Sequence, residues 1–364
     1  MIHKLVIVKM KRNLLFTAVL AVILLNAACR KDSAPAPVAP NPFSAIDKVL
    51  SDSTARFGGK FYALITVNGK TVYTKSAGYL DSTVEKVASC SKWLSGAVLM
   101  SLVDEGKIAL TDTIGKFLPV FSQYHKGNIT MAQLFAHTSG FPGNSAQDYE
   151  DNPSLTLGQC ADSIAINVPL AAQPGVQFDF GNVSMQVAGR ICEVVSGKKW
   201  NTLFADNIAA PCNMINTNYG LGLNPSIANG ASSSARDYSA FLYMIMNNGV
   251  ALNGQRILSQ AAITAMEQGE TNNATIVYSP YPVSLLPASN YYGVGNWRDV
   301  TAPGDSLVEG SSPGAFGTHP WINREKKITG IIFTYVPGQK NQDSNGATMA
   351  TCIKIRKLVR DIVQ

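Results

Sequence analysis

The stretch "ASCSKWLSGAVLMSLVDEGK", residues 88–107, decides how the rest of the chain is read. Ser89 and Lys92 stand three apart, and the run after them turns almost wholly apolar. Trp93, Leu94, Ala97, Val98, Leu99, Met100, Leu102 and Val103 leave little polar surface on a 3.6-residue period, which predicts a helix buried on nearly all sides. A lysine in the first turn runs against the backbone dipole, whose amino end repels positive charge. An ordinary start would read Ser-x-x-Glu, with the acid reaching back to cap the helix. Chemistry accounts for the lysine better than capping does. Ser89 at the amino end and Lys92 one turn on share a face. There the backbone N–H groups and the dipole favour an oxyanion forming at the serine. A lysine desolvated by apolar neighbours loses its proton more readily and can then accept another. The plainer alternative, a serine cap with a lysine snorkelling to water, explains the serine and leaves the lysine unaccounted for.

Spacing by itself is weak evidence, because Ser-x-x-Lys turns up on the order of once by chance in a chain this long. It recurs from Ser196 to Lys199, where Gly197 ends a helix and the reading is a loop. Gly310-Ser311-Ser312-Pro313-Gly314 matches G-x-S-x-G. A nucleophile elbow needs a strand before the serine and a helix after it. Here Pro313 follows the serine and a strand-like run follows Pro313, so the elbow is rejected.

Working outward, "KFYALITVNGKTVYTKSAGYL" shows two β-rich runs around Asn68-Gly69, a strong hairpin signal. "AFGTHPWINREKKITGIIFTYV" reads as a second hairpin turning at Asn323 to Lys326, and "NGATMATCIKIRKLVRDIVQ" has helical spacing. A short amphipathic helix is expected over "SAIDKVLSDSTARF". The middle, roughly 90 to 285, is dominated by helical patterns, including "SMQVAGRICEVVSG" and "SARDYSAFLYMIMNNG", which both end in glycine. The expected fold class is α/β of the α+β kind: one antiparallel sheet built from both ends of the chain, flanked by helices, with a helical lobe inserted.

The chain has 364 residues, 46% of them apolar and 15% charged, which fits a globular protein with a substantial core. The formal charge is +6, but Lys4, Lys9, Lys11 and Arg12 leave 26 basic residues against 24 acidic ones when set aside. No basic tract remains, so nucleic acid is not an expected partner. "MKRNLLFTAVLAVILLNAAC" runs from a basic pair after Met10 through an apolar core too short to span a membrane, and reaches small residues before Cys29. Its close, "NAAC", resembles the lipobox of bacterial lipoproteins, whose cysteine is lipidated after cleavage; Asn26 departs from the usual aliphatic residue, and plain secretion is the alternative. Residues 1–28 are therefore expected to be an export signal starting at Met10, and 29–44 an anchor cysteine with a Pro/Ala-rich tether. The body runs from 45 to 364. The expected location is the cell envelope, with membrane contact through the lipid. Five more cysteines, Cys90, Cys160, Cys192, Cys212 and Cys352, could partly pair in an oxidising compartment, leaving at least one free. Neither they nor the four histidines show metal-ligand spacing, so no metal or other cofactor is expected.

"SCSKWLSGAVLMSLVDEGKIALTDTIGKFLP" closely resembles the nucleophile helix and following loop of the serine β-lactamase-related hydrolases, a group that includes class C β-lactamases, D-alanyl-D-alanine carboxypeptidases and penicillin-binding-protein-like esterases. The resemblance continues in order through "ITMAQLFAHTSGFPG", "PGVQFDFGNVSMQVAGRICEVVSGKKW", "PCNMINTNYGLG", "SSSARDYSAFLYMIMNNG", "YYGVGNW" and "SSPGAFGTHPWIN", covering about residues 45 to 364. It implies a β-lactamase/transpeptidase-like fold. It also implies Ser89 as acyl-accepting nucleophile, Lys92 as its partner, and Asn182 as the asparagine of a Tyr-x-Asn element that contacts substrate and lysine. Ser312-Pro313-Gly314 matches the strand-edge triplet that reads Lys-Thr-Gly or His-x-Gly elsewhere. The N–H of Ala315 is implied to join that of Ser89 as an oxyanion hole.

Two departures stand out. Phe180 occupies the place of the family tyrosine, whose phenol can relay a proton, and Ser312 replaces the usual basic or imidazole group. Asp179, one residue away, is expected to point elsewhere. Losing one general acid/base typically slows a reaction by about 10²–10⁴-fold without abolishing it. The sequence thus predicts an exported serine hydrolase, slow where the phenol matters, acting on a small-molecule or peptide substrate with an ester or amide bond; β-lactams rank last. A catalytically impaired binding protein on the same fold is the alternative. Loops 143–173 and 270–290 are expected to set specificity. His137 in "AHTSG" is read as a packing residue, since a triad needs demonstrated geometry; His125 and His319 are read as surface or strand residues.

Overall fold

Asn68 and Gly69, with φ of 50° and 74°, supply the left-handed pair that a two-residue hairpin loop demands. They join β1 (Phe61–Val67) to β2 (Lys70–Ala77) in antiparallel register. The second expected hairpin is β9 (Gly317–Asn323) and β10 (Ile328–Tyr335). β10 lies against β1, with Tyr62 opposite Phe333 and Val67 opposite Ile328, so the two ends of the chain meet at the centre of the sheet. β7 (Trp297–Thr301) and β8 (Leu307–Ser311) extend it to six antiparallel strands in the order β2-β1-β10-β9-β8-β7. This is the β-lactamase/transpeptidase-like architecture in which a mostly helical middle is inserted between sheet-forming ends. The computed structural model describes residues 41–337 and 342–363. The export segment, Cys29 and most of the tether lie outside the described residues.

Strand alternation separates two cores. Phe61, Ala63 and Ile65 face α1 (Ser44–Asp52) and the closing helix, where they pack with Ile46, Leu50, Cys352 and Ile355. Tyr62 and Leu64 face the other side, together with Ile331 and Phe333, and meet the helical body. At the heart of that body is α2 (Ser91–Asp104), in which every residue from Ser91 to Leu102 is buried. Gly96 lets it dock: a Cβ there would collide with the Val294 carbonyl oxygen. Deleting a side chain such as Leu99, fully buried in α2, would cost about 2–5 kcal/mol.

The helices that surround α2 start and stop where local chemistry directs. α3 (Leu157–Asn167) opens on a capping box in which Thr156 and Gln159 satisfy each other's backbone N–H groups. α4 (Val183–Ser196) ends at Gly197 in the left-handed conformation. α5 (Ala235–Met246) is capped by Ser234, whose Oγ accepts from the Asp237 N–H, and it lies against β9 and β10. The closing helix, α6 (Gln342–Ile362), packs on α1 and β9.

One point differs from the sequence reading, one agrees with it and one settles what it left open. The middle also holds short strands: β3 (Glu85–Lys86) pairs with β5 (Ser232–Ser233), and β4 (Gln177–Asp179) pairs in parallel with β6 (Thr275–Tyr278). A strand, β8, does precede the Gly310–Gly314 motif, but β9 rather than a helix follows it, so no elbow forms. All five described cysteines are free thiols, taken up by the two apolar cores instead of by one another, which settles a pairing that the sequence left open.

Candidate active site

Ser89 does not lie in α2 itself. It occupies a single 3₁₀ turn, Ala88–Cys90, that leads into the helix. Ala88 has φ of 47°, a left-handed conformation that costs an L-residue energy and persists only where surroundings enforce it. The enforcement is close by, since Gly314 packs so tightly on the Val87 carbonyl that a Cβ there would collide with it. Gly314 is therefore required by the approach of β9's entry to the turn that carries Ser89.

Lys92, in the first turn of α2, is only 1% exposed. Its Nζ donates to Ser89 Oγ at 3.1 Å and to the Ala228 carbonyl at 3.4 Å. Burial lowers the amine from 10.5 to about 7, while the Asp151 carboxylate pulls the other way. Among the described residues no carboxylate forms an ion pair with it, and the ring of Phe180 faces it, with the centroid 4.4 Å from Nζ. A half-neutral amine in hydrogen-bond reach of a hydroxyl can take its proton near neutral pH.

Phe180 is pinned from behind. It stacks on Trp297 with centroids 5.4 Å apart and touches the ring of His137 at 4.7 Å. His137 is buried, and desolvation, then the charge of Lys92, hold it well below its ordinary range, so the ring stays neutral. It packs against Phe178 and Tyr292 and makes no hydrogen bond to Ser89 among the described residues. His125 is exposed, and His319 is buried in β9 against Arg356. None of the three described histidines forms a triad.

A pocket of about 510 Å³ opens over Ser89. Phe180, Asn182, Gly314 and Ala315 line it with Ser89, so the structure brings five of the sequence-selected residues to one cavity. The loops singled out for specificity contribute Asn144, Asp151, Tyr278 and Pro280. The backbone N–H groups of Ser89 and Ala315 have no acceptor among the described residues, whereas that of Gly314 is used by Thr318 O at 2.8 Å. Two free donors beside the Ser89 hydroxyl match what an oxyanion hole would require if that hydroxyl attacked a carbonyl. Asn182 sits just before α4, held by its N–H to Gly143 O, and its carboxamide makes no hydrogen bond to Lys92.

Ser312 is placed differently from the role implied for it. Its Oγ is turned away from the lining and donates to the carbonyls of Ser89 at 3.2 Å and Gly295 at 3.4 Å. It braces the turn that carries Ser89. Sequence reading missed Asn229, which lines the pocket and whose Oδ1 accepts from Ser89 Oγ at 3.1 Å and Lys92 Nζ at 3.4 Å. No signal in "SIANGASS" marked it: the contact spans 140 residues and belongs to no motif. Among the described residues no group of His, Cys, Asp or Glu is arranged to hold a metal ion.

A serine turn and buried lysine at the head of an apolar helix, set against β9 inside an antiparallel sheet, define the fold shared by β-lactamases and penicillin-binding-protein homologues. A family model described as Beta-lactamase matches residues 53–350, and the chain belongs to that family of hydrolases. Among solved structures it is similar to a candidate β-lactamase from Bacteroides dorei DSM 17855, at 28% identity and a TM-score of 0.77, covering 86% of this chain and 99% of that one. EstCE1, a hydrolase with promiscuous acyltransferase activity, shares the fold at 18% identity and a TM-score of 0.69, covering 87% and 98%. Of curated relatives, Protein flp of Staphylococcus aureus (strain MW2) is 28% identical over 169 residues, covering 43% of this chain and 34% of that protein. The D-alanyl-D-alanine-carboxypeptidase/endopeptidase AmpH of Escherichia coli (strain K12) is 27% identical over 228 residues, 58% of each. The chain thus aligns with about a third to three fifths of the length of these curated relatives.

Proposed function

We propose that this protein is an exported serine hydrolase that opens an amide or ester through an acyl-enzyme. The observation that carries the proposal is the 3.1 Å contact between Ser89 Oγ and an amine buried to 1% exposure, with no carboxylate against it. Lys92 takes the hydroxyl proton as Ser89 Oγ bonds to the carbonyl carbon, and the carbonyl electron pair moves onto oxygen, held by the N–H groups of Ser89 and Ala315. Collapse of that intermediate breaks the bond to the leaving group, which takes the proton back from Lys92. Water then attacks the acyl carbon along the same route, and Ser89 is released. Asn182, in the pocket lining, orients substrate.

Small esters and D-amino-acid peptides are the proposed substrates, supported by the carboxypeptidase named among the relatives and by the acyl-transfer chemistry named for the hydrolase EstCE1. β-Lactams rank below them, because Phe180 has no hydroxyl to help discharge a stable acyl-enzyme. The same residue supports a second reading, a cleft retained for binding without turnover. A fluorophosphonate probe separates the two: labelling of Ser89, lost in Ser89→Ala, supports the hydrolase, while a folded protein that takes no label is a binder. The envelope location belongs to the proposal as well, through lipidation at Cys29. Incorporation of labelled palmitate that disappears in Cys29→Ala supports it, and unchanged incorporation overturns it.

A further inference from the structure

Lys92 donates to Ser89 Oγ, and Ser89 in turn donates to the Oδ1 of Asn229, which also accepts from Lys92. One carboxamide oxygen therefore closes a three-membered ring of hydrogen bonds around the nucleophile. The turn that carries it is tight, with the N–H groups of Asn229 and Gly230 both directed at Ser226 O, and a Cβ at Gly230 would press on that oxygen. Asn229 is half-buried and lines the pocket, and its side-chain Nδ2 has no acceptor among the described residues. On the facing wall Phe180 meets Lys92 with a bare ring. Asn182 makes no hydrogen bond to the pair.

We infer that Asn229 is the positioning residue of this site: its Oδ1 fixes the Ser89 hydroxyl and the Lys92 amine against each other, and its free N–H is directed to the polar oxygen of a bound ester or amide. The inference rests on the serine–lysine reading given above. A carboxamide holds no exchangeable charge and cannot act as acid or base near neutral pH, so Asn229 supplies geometry and a donor while every proton passes through Lys92. In the resting arrangement the hydroxyl hydrogen points to Asn229, and for attack it swings to the unprotonated amine. Keeping the hydroxyl within reach of both acceptors restricts it to the few orientations from which that swing is short.

The charged and titratable groups around Lys92 are few. Asp151 lines the pocket, Cys90 precedes the lysine in the chain, His137 lies neutral behind Phe180, and Lys86 stands at the rim. A new carboxylate at 229 would therefore be the nearest anion to the amine. Asn229→Asp should move the rising limb of the pH profile upward by about one to three units, the usual effect of an opposite charge in contact. Asn229→Ala should leave a folded enzyme whose kcat falls about tenfold, the scale of one lost orienting hydrogen bond, with a smaller change in KM.

The test follows kcat/KM for p-nitrophenyl acetate, and the rate of fluorophosphonate labelling, from pH 5 to 10 in wild type, Asn229→Asp and Asn229→Ala, with melting curves to confirm folding. A limb displaced in the aspartate variant and a depressed kcat in the alanine variant support the role. A limb within 0.3 units of wild type, or an alanine variant within twofold in kcat, overturns it, and either variant alone suffices. Wild-type protein that neither labels nor turns over sinks the serine–lysine reading instead, a result distinct from labelled protein indifferent to residue 229.

Discussion

Replacing Lys92 by methionine keeps a long flexible side chain in the same buried slot and removes its charge. The structure gives the size of the effect. Folding takes this amine from 10.5 to about 7, burial being the main cause. Between those values the unfolded chain holds a proton that the folded chain has released, so stability rises with pH through the window, by about 1.4 kcal/mol per unit. Lys92 is thus least favourable to folding below its folded value and ceases to oppose folding only above its unfolded one. Urea denaturation followed by tryptophan fluorescence, in wild type and Lys92→Met at pH 7.5 and 9.5, isolates the contribution, since every other titrating group cancels between the two proteins. Wild type should gain about 2–3 kcal/mol relative to the variant over those two units. The variant should also be the more stable protein at pH 7.5 and should take no fluorophosphonate label. Parallel changes in both proteins would show that Lys92 keeps an ordinary proton affinity, and the argument for a neutral base would fall with it.

Other outcomes follow from the same geometry. Phe180→Tyr restores a phenol beside Lys92 and should raise ester kcat up to about tenfold; equal or lower turnover would mean that the ring's packing on Trp297 and His137 matters more than the missing hydroxyl. Gly314→Ala forces a methyl group onto the Val87 carbonyl and so displaces the oxyanion donors, and kcat should drop by about 10² with the fold retained by circular dichroism. Ser312→Ala removes the hydroxyl that braces the Ser89 and Gly295 carbonyls and should lower stability by about 1 kcal/mol in denaturant melts, with KM little changed. A large rise in KM would instead make Ser312 a substrate contact.

The elements that the chain spells out plainly are those whose burial follows a simple period. Both hairpins, the apolar helix behind Ser89 and the joining of the two chain ends could be read from alternation, turn residues and uniform greasiness. β7 and β8 escaped because their inward positions carry charge. Arg298 is wholly buried in β7 and binds Asp305 at 2.9 Å, while Asp299 and Glu309 meet Arg356 from the closing helix. A buried ion pair between distant segments looks, residue by residue, like solvent-facing sequence. The site divides in the same way. Ser89 and Lys92 lie three apart on one turn, a local spacing, so they could be found. Asn229 arrives from a turn 140 residues away, and the outward or inward aim of Ser312 depends on carbonyls that belong to two other segments.

The placement of β1 between β2 and β10 has a consequence for how the molecule comes into being. An element laid down early in synthesis is left with one side unzipped until some 260 further residues have been made, because Val67 finds its partner only at Ile328. Loop closure on that scale is slow, and an open strand edge invites pairing with a stranger meanwhile. A nonsense mutation just before β10 would therefore spare Ser89, Lys92 and Ala315 yet yield an aggregate rather than a weak enzyme. Helper proteins that shield nascent β edges should matter more to this chain than to an all-helical one of equal size.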